Sequence, residues 1–200
     1  GTDPARDGAM ARGLASVDGH LDLTRASAAG FTGGLFALFI PNSAAGEELS
    51  GGQPPSYEDA SVICADMLAL ADEMVARFGD NIAKCLTVSD ILAAQDASKI
   101  AMVLHIEGAE MISADCHEIE MLYQRGIRSL GPLWSRPNLF GEGVPLQFPG
   151  SPDQGDGLSD AGKRLVRTCN HYGIMLDLSH LNEKGFWDIA KLSDKPLVAT

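Results

Sequence analysis

Two rhythms of apolar residues run along this chain. Gly34–Ile40 is apolar at every position, as in a strand of a parallel sheet covered on both faces. From Tyr57 to Phe78 the rhythm changes. Ala60, Ile63, Cys64, Met67, Ala71, Met74, Val75 and Phe78 recur at three- and four-residue steps and predict a helix. Ser56 is its expected N-cap and Gly79 its stop. A shorter helix is expected over Asp90–Gln95, capped by Ser89. Ile100–Ile106 reads as a second buried strand, followed by a helix over Cys116–Arg125, a stop at Gly126 and a strand over Ile127–Leu133. Ser159 should cap a helix carrying Ala161, Leu165, Cys169 and Tyr172 on one face and ending at Gly173. A strand at Ile174–Leu178, a helix at Lys184–Leu192 and a strand at Leu197–Thr200 complete the pattern.

Strand–helix–strand repetition implies an α/β fold with parallel strands and right-handed crossovers. The pattern yields about five strands, short of the eight a closed barrel needs. The chain therefore reads as a single domain over 1–200 that forms part of a (β/α)8, TIM-type barrel without its first strand and its C-terminal strands. A small open sheet is the alternative, since this length can bury a core.

Chemistry gathers at the strand ends. Glu107 follows Ile100–Ile106, and His180 follows Ile174–Ser179. A carboxylate and an imidazole at such ends suit a divalent metal site on a barrel, although either residue alone could be a satisfied structural group. His105 shares a face with Glu107 and reads as a core or supporting histidine. Asp177 lies at odd spacing from His180, which points it to the other face of an ideal strand, and it reads as a structural carboxylate satisfied by backbone N–H groups. The formal charge of −12 argues against a nucleic-acid groove. No apolar run approaches the length of a membrane span. Cys64, Cys85, Cys116 and Cys169 form no CxxC pair and read as small core residues of a reducing, cytoplasmic compartment.

Four segments, in order, resemble a known family. They are His105-Ile-Glu-Gly-Ala109, Arg128-Ser-Leu-Gly-Pro-Leu-Trp-Ser-Arg-Pro-Asn138, Leu158-Ser-Asp-Ala-Gly162 and Asn170-His-Tyr-Gly-Ile-Met-Leu-Asp-Leu-Ser-His180. Each is similar to a signature of the membrane (renal) dipeptidase family, here of a bacterial type. The resemblance implies a barrel with two divalent metals, zinc, that hydrolyses dipeptides, often with a D-residue at the C-terminal position. By that resemblance Glu107 bridges both metals and is catalytic, and His180 ligates one. Trp134 stands where the best-known members carry a substrate-polarising histidine, and is the expected substrate-binding residue. Indole offers one N–H donor and cannot take up a proton. The expected partners are a dipeptide substrate and a second copy of the chain, with no nucleic acid and no membrane in this segment. A metal-dependent hydrolase of another ester, lactone or amide, or a non-catalytic barrel homologue, is the alternative.

Asp18-Gly-His-Leu-Asp22 invites a different reading, because His20 and Asp22 mimic the His-x-Asp pair of that family. Only Thr24–Gly33 separates them from the next strand, too short for a parallel crossover. Both are expected to lie outside the metal site, with the true pair upstream of Gly1 and a further histidine ligand just beyond Thr200.

Overall fold

Short β-segments alternate with amphipathic helices. The computed structural model describes residues 21–42 and 54–200. In order, these form α1 (Leu23–Ala28), β1 (Gly33–Phe39), α2 (Tyr57–Phe78), β2 (Ile82–Lys84), α3 (Val88–Asp96), β3 (Ile100–Glu107), α4 (Glu118–Gln124), β4 (Ile127–Gly131), α5 (Asp160–Tyr172), β5 (Met175–Leu176) and α6 (Glu183–Leu192). The chain divides into two compact units. One comprises the described residues through Gly34 with Leu70–Met102, and the other those of Leu35–Ala69 with Val103–Thr200.

In the first unit, β2 lies parallel to the start of β3, with Ile82 beside Ile100 and Lys84 beside Met102. Gly33 is required where the chain approaches β3, because a Cβ there would stand 2.7 Å from the Ala101 carbonyl oxygen. Helix α3 begins at Val88 rather than Asp90, and its cap is Thr87 rather than Ser89. The Thr87 side chain accepts from Asp90 N–H while the Asp90 carboxylate accepts from Thr87 N–H, a reciprocal capping box. Ser89 lies inside the helix that it was expected to cap.

In the second unit the sheet runs β1-β3-β4-β5. The β3–β4 and β4–β5 pairings are parallel, as the alternating pattern requires. The part of β3 in this unit is its spine: Leu104 and Ile106 are buried. Strand β4 contains a bulge. Leu104 pairs with Ile127 but His105 pairs with Ser129, so Arg128 is an extra residue. Helix α5 begins at Ser159, whose hydroxyl accepts from Gly162 N–H, and ends at Gly173 in the left-handed region (φ 71°). Buried Leu165, Val166 and Cys169 give α5 its inner face.

Four strand expectations shift. β4 ends at Gly131 rather than Leu133, and β5 spans only Met175–Leu176. Leu197–Thr200 forms no named strand, contributing a single parallel bridge between Asp177 and Val198. The fourth difference is in β1, which is not covered on both faces: Leu35 is 36% exposed, because its face opens into a cavity.

Candidate active site

Parallel strands end on a common side, and side chains at those ends converge on whatever space remains there. In the second unit that space is a cavity of about 420 Å³. Leu35 and Ala37 of β1 form an apolar wall. The polar wall comes from His105 and Glu107 on β3 and from Asp177, Ser179 and His180 after β5.

Glu107 and His180 meet. His180 Nε2 stands 3.1 Å from Glu107 Oε1, with both side chains a little over a quarter exposed. The other imidazole nitrogen is held by the Ser135 hydroxyl, Oγ to Nδ1 at 2.8 Å. Two ring nitrogens with different partners give the imidazole a fixed direction. The backbone at His180 is unusual as well. Its φ of 67° lies in the left-handed region, uncommon for a residue with a side chain. It is held there because Val144 N–H donates to the His180 carbonyl at 2.7 Å and Gly143 bridges Leu181.

Gly108, directly after Glu107, has φ 91°. A Cβ there would also stand 2.6 Å from Glu110 Oε2. Glycine thus permits both the turn that leaves Glu107 at the strand end and the close packing of Glu110 behind it.

His105 and Asp177 form the deeper floor. Both are buried, with His105 Nδ1 2.8 Å from Ser129 Oγ and His105 Nε2 3.8 Å from Asp177 Oδ2. Burial pushes the imidazole below its usual range, against the attraction of Asp177 and Glu107. It is therefore neutral near pH 7, and its approach to Asp177 is not an ion pair. Burial acts on Asp177 in the opposite sense, raising it. Hydrogen bonds from Thr200 and Ser179 outweigh burial and hold its carboxyl below the usual value. The donors are Ser179 N–H at 3.0 Å and the Thr200 hydroxyl at 2.6 Å, with Thr200 N–H at 3.3 Å. Asp177 is thus satisfied by backbone N–H groups, as expected of a structural carboxylate, with a hydroxyl added. It also lines the cavity rather than turning to the far face.

Trp134 is buried, 6% exposed, and is not among the cavity-lining residues. Its ring packs between Phe39, 5.0 Å between centroids, and His180, 6.1 Å. Asp22 caps α1, accepting from Arg25 N–H at 2.8 Å and pairing with Arg25 Nε. The Arg25 backbone and side-chain hydrogen bonds hold the Asp22 carboxyl below its ordinary range. His20 lies outside the described residues. Sequence reasoning missed Ser135. Its only signal was its place directly after the candidate Trp134, in a segment already singled out.

A carboxylate oxygen and a neutral imidazole are ordinary zinc ligands. Two donors about 2.0–2.1 Å from one tetrahedral ion stand roughly 3.3 Å apart, close to the separation seen here. The Ser135 contact supplies the outer hydrogen bond that metal-ligating histidines usually make. The pair fits a metal by chemistry and spacing. Among the described residues no cluster of three or more such donors forms.

An uncharacterized protein of Acinetobacter calcoaceticus is 40% identical over 192 residues, 91% of this chain and 60% of its own length. A Rhodobacter sphaeroides metallo peptidase, solved with a phosphinate mimic of the dipeptide L-Ala-D-Ala, superimposes with TM-score 0.86 at 41% identity, covering 98% of this chain and 60% of that one. A second metallo peptidase, dipeptidase AC, gives TM-score 0.85 at 43% identity, covering 96% and 58%. This chain thus spans about three fifths of the length of these relatives. The model of the membrane dipeptidase family, peptidase family M19, matches residues 8–200, and the chain belongs to that family.

Proposed function

We propose that the protein of which this chain is part is a metal-dependent dipeptidase, using two divalent ions, zinc, to hydrolyse the amide bond of dipeptides, including those with a C-terminal D-residue. The observation that carries this reading is the convergence of Glu107 and His180, 3.1 Å apart at the wall of one cavity, in a chain of this family. The neighbour bound to an L-Ala-D-Ala mimic supports the substrate class.

When bound, the ions would polarise the scissile carbonyl and make a nucleophile available near neutral pH. Glu107 would bridge them and hold their charge together. His180 would bind one through Nε2, its proton kept on Nδ1 against Ser135. Among the described residues this pair gives two donors, fewer than the three or more protein ligands that zinc needs. Asp22 takes no part. His105 and Asp177 shape the polar floor beneath the substrate. Trp134 acts on the site through His180, against which it packs. Four free, buried cysteines support a reducing, cytoplasmic location. A homodimer is part of the same proposal. Among the described residues no helix is long and apolar enough to cross a membrane.

Glu107→Gln in the full-length protein should lose the metals and the turnover together. Metal content by atomic absorption and dipeptide hydrolysis would be measured side by side. Two retained metals with near-normal turnover would reject the proposal.

A further inference from the structure

Glu110 is a second carboxylate, three residues beyond Glu107. Its side chain is 5% exposed and accepts from Arg136 Nε at 2.8 Å. Arg136 is itself 6% exposed. Its other two nitrogens donate to the Ile40 carbonyl at 2.7 Å and to Asn42 Oδ1 at 2.5 Å. Its guanidinium also lies 5.2 Å from the Trp134 ring. One planar fork thus ties the segment after β3 to the end of β1. A charge pair this dry adds little net stability over an apolar pair of the same size, so stability alone does not account for it.

The same residue is bound to the other half of the site. It follows Ser135, whose hydroxyl holds His180 Nδ1, and Trp134, whose ring packs on His180. The three residues are folded tightly, with Arg136 N–H donating to the Trp134 carbonyl at 2.7 Å. Gly143–Val144 crosses above them. Gly143 N–H donates to the Arg136 carbonyl at 3.3 Å and Val144 N–H to that of His180. The crossing is so close that a Cβ on Gly143 would stand 1.7 Å from the Trp134 oxygen.

We infer that Arg136 is a positioning residue for the metal site, setting the spacing of Glu107, through Glu110, and of His180, through Ser135 and Trp134. The inference rests on the metal-site reading of Glu107 and His180. Lysine keeps the charge but lacks the fork, and cannot hold three acceptors on two segments in one plane.

The test uses the full-length protein stripped of metal and titrated with zinc against a chelator of known affinity. Arg136→Lys should weaken zinc binding by about 10- to 100-fold, the usual effect of losing an outer-sphere support. The metal-free variant should keep its circular dichroism and a cooperative melt. Ser135→Ala should weaken zinc in the same direction. The double variant should fall short of the product of the two single effects, because both act on the setting of His180. Wild-type zinc affinity in folded Arg136→Lys, or fully multiplicative effects, would overturn the inference. If Arg136→Lys does not fold, Glu110→Met with Arg136→Met removes both charges at once, and unchanged zinc affinity there overturns it equally. Glu107→Gln serves as the control. If it keeps both metals, the metal-site reading itself fails. If it loses them while Arg136→Lys binds zinc normally, only the role of Arg136 falls.

Discussion

Glu107 and Glu110 stand three residues apart, one at the end of β3 and one just beyond it, and each faces a nitrogen side chain. The His180–Glu107 contact is 3.1 Å long and open to a cavity. The Arg136–Glu110 contact is 2.8 Å long and almost wholly dry. The difference lies in what each partner can do. Arginine is permanently charged and presents a rigid fork, which suits a fixed joint. Histidine can shed its charge and offer a lone pair, which suits a site whose occupant changes. Chemistry is placed where water reaches, and rigidity where it does not.

Removing one side of the dry pair should have the largest effect on folding. Arg136→Met leaves the Glu110 carboxylate buried without its partner, at a cost of about 3–5 kcal/mol. Urea unfolding measures this, and a loss under about 1 kcal/mol would mean the two pairs differ less than their burial implies. Gly143→Ala comes next. The added methyl meets the Trp134 carbonyl and forces the backbone apart, costing about 1–3 kcal/mol as overpacking usually does. An unchanged melt would show that the crossing above Trp134 is pliable.

Trp134→His sharpens the wet side of the comparison. Because the ring reaches the cavity through His180, kcat/KM should fall by a similar factor for L,L- and L,D-dipeptides. A reordered substrate ranking would place Trp134 against the substrate itself.

The smallest effect is a change of slope. Asp177 is depressed in the folded state, so its contribution is complete above the unfolded carboxyl pKa, near 4, and fades as pH falls through that value towards the folded one. Asp177→Asn should therefore lose less stability on acidification below about pH 4 than the wild type does. Parallel pH–stability curves would remove Asp177 from the acid response.

Much of this arrangement was legible in the sequence. Glu107 and His180 were found because each closes an apolar run, and strand ends are where a barrel presents its side chains. What could not be read were the long-range partners. Ser135 and His180 are 45 positions apart and Arg136 and Glu110 are 26 apart, and no local periodicity links them. β2 escaped because three residues between a turn and a helix carry too little rhythm. The six-residue α1 escaped for the same reason. Thr87 was passed over for Ser89 because both are hydroxyls beside the same helix. The deciding signal was Asp90, three residues after Thr87, which closes the capping box.

The bulge at Arg128 has a consequence for anyone aligning or redesigning this segment. A strand is a two-beat measure, and the extra residue is a held note. Ile127 and Ser129 are two positions apart and would face the same way in a regular strand. They pair instead with Leu104 and His105, which face opposite ways. Every residue after Arg128 is therefore out of phase with every residue before it. Ser129 reaches the His105 imidazole only because of that shift. A relative that lacks the extra residue must place its serine directly after the isoleucine, or that serine does not reach the imidazole beneath the cavity.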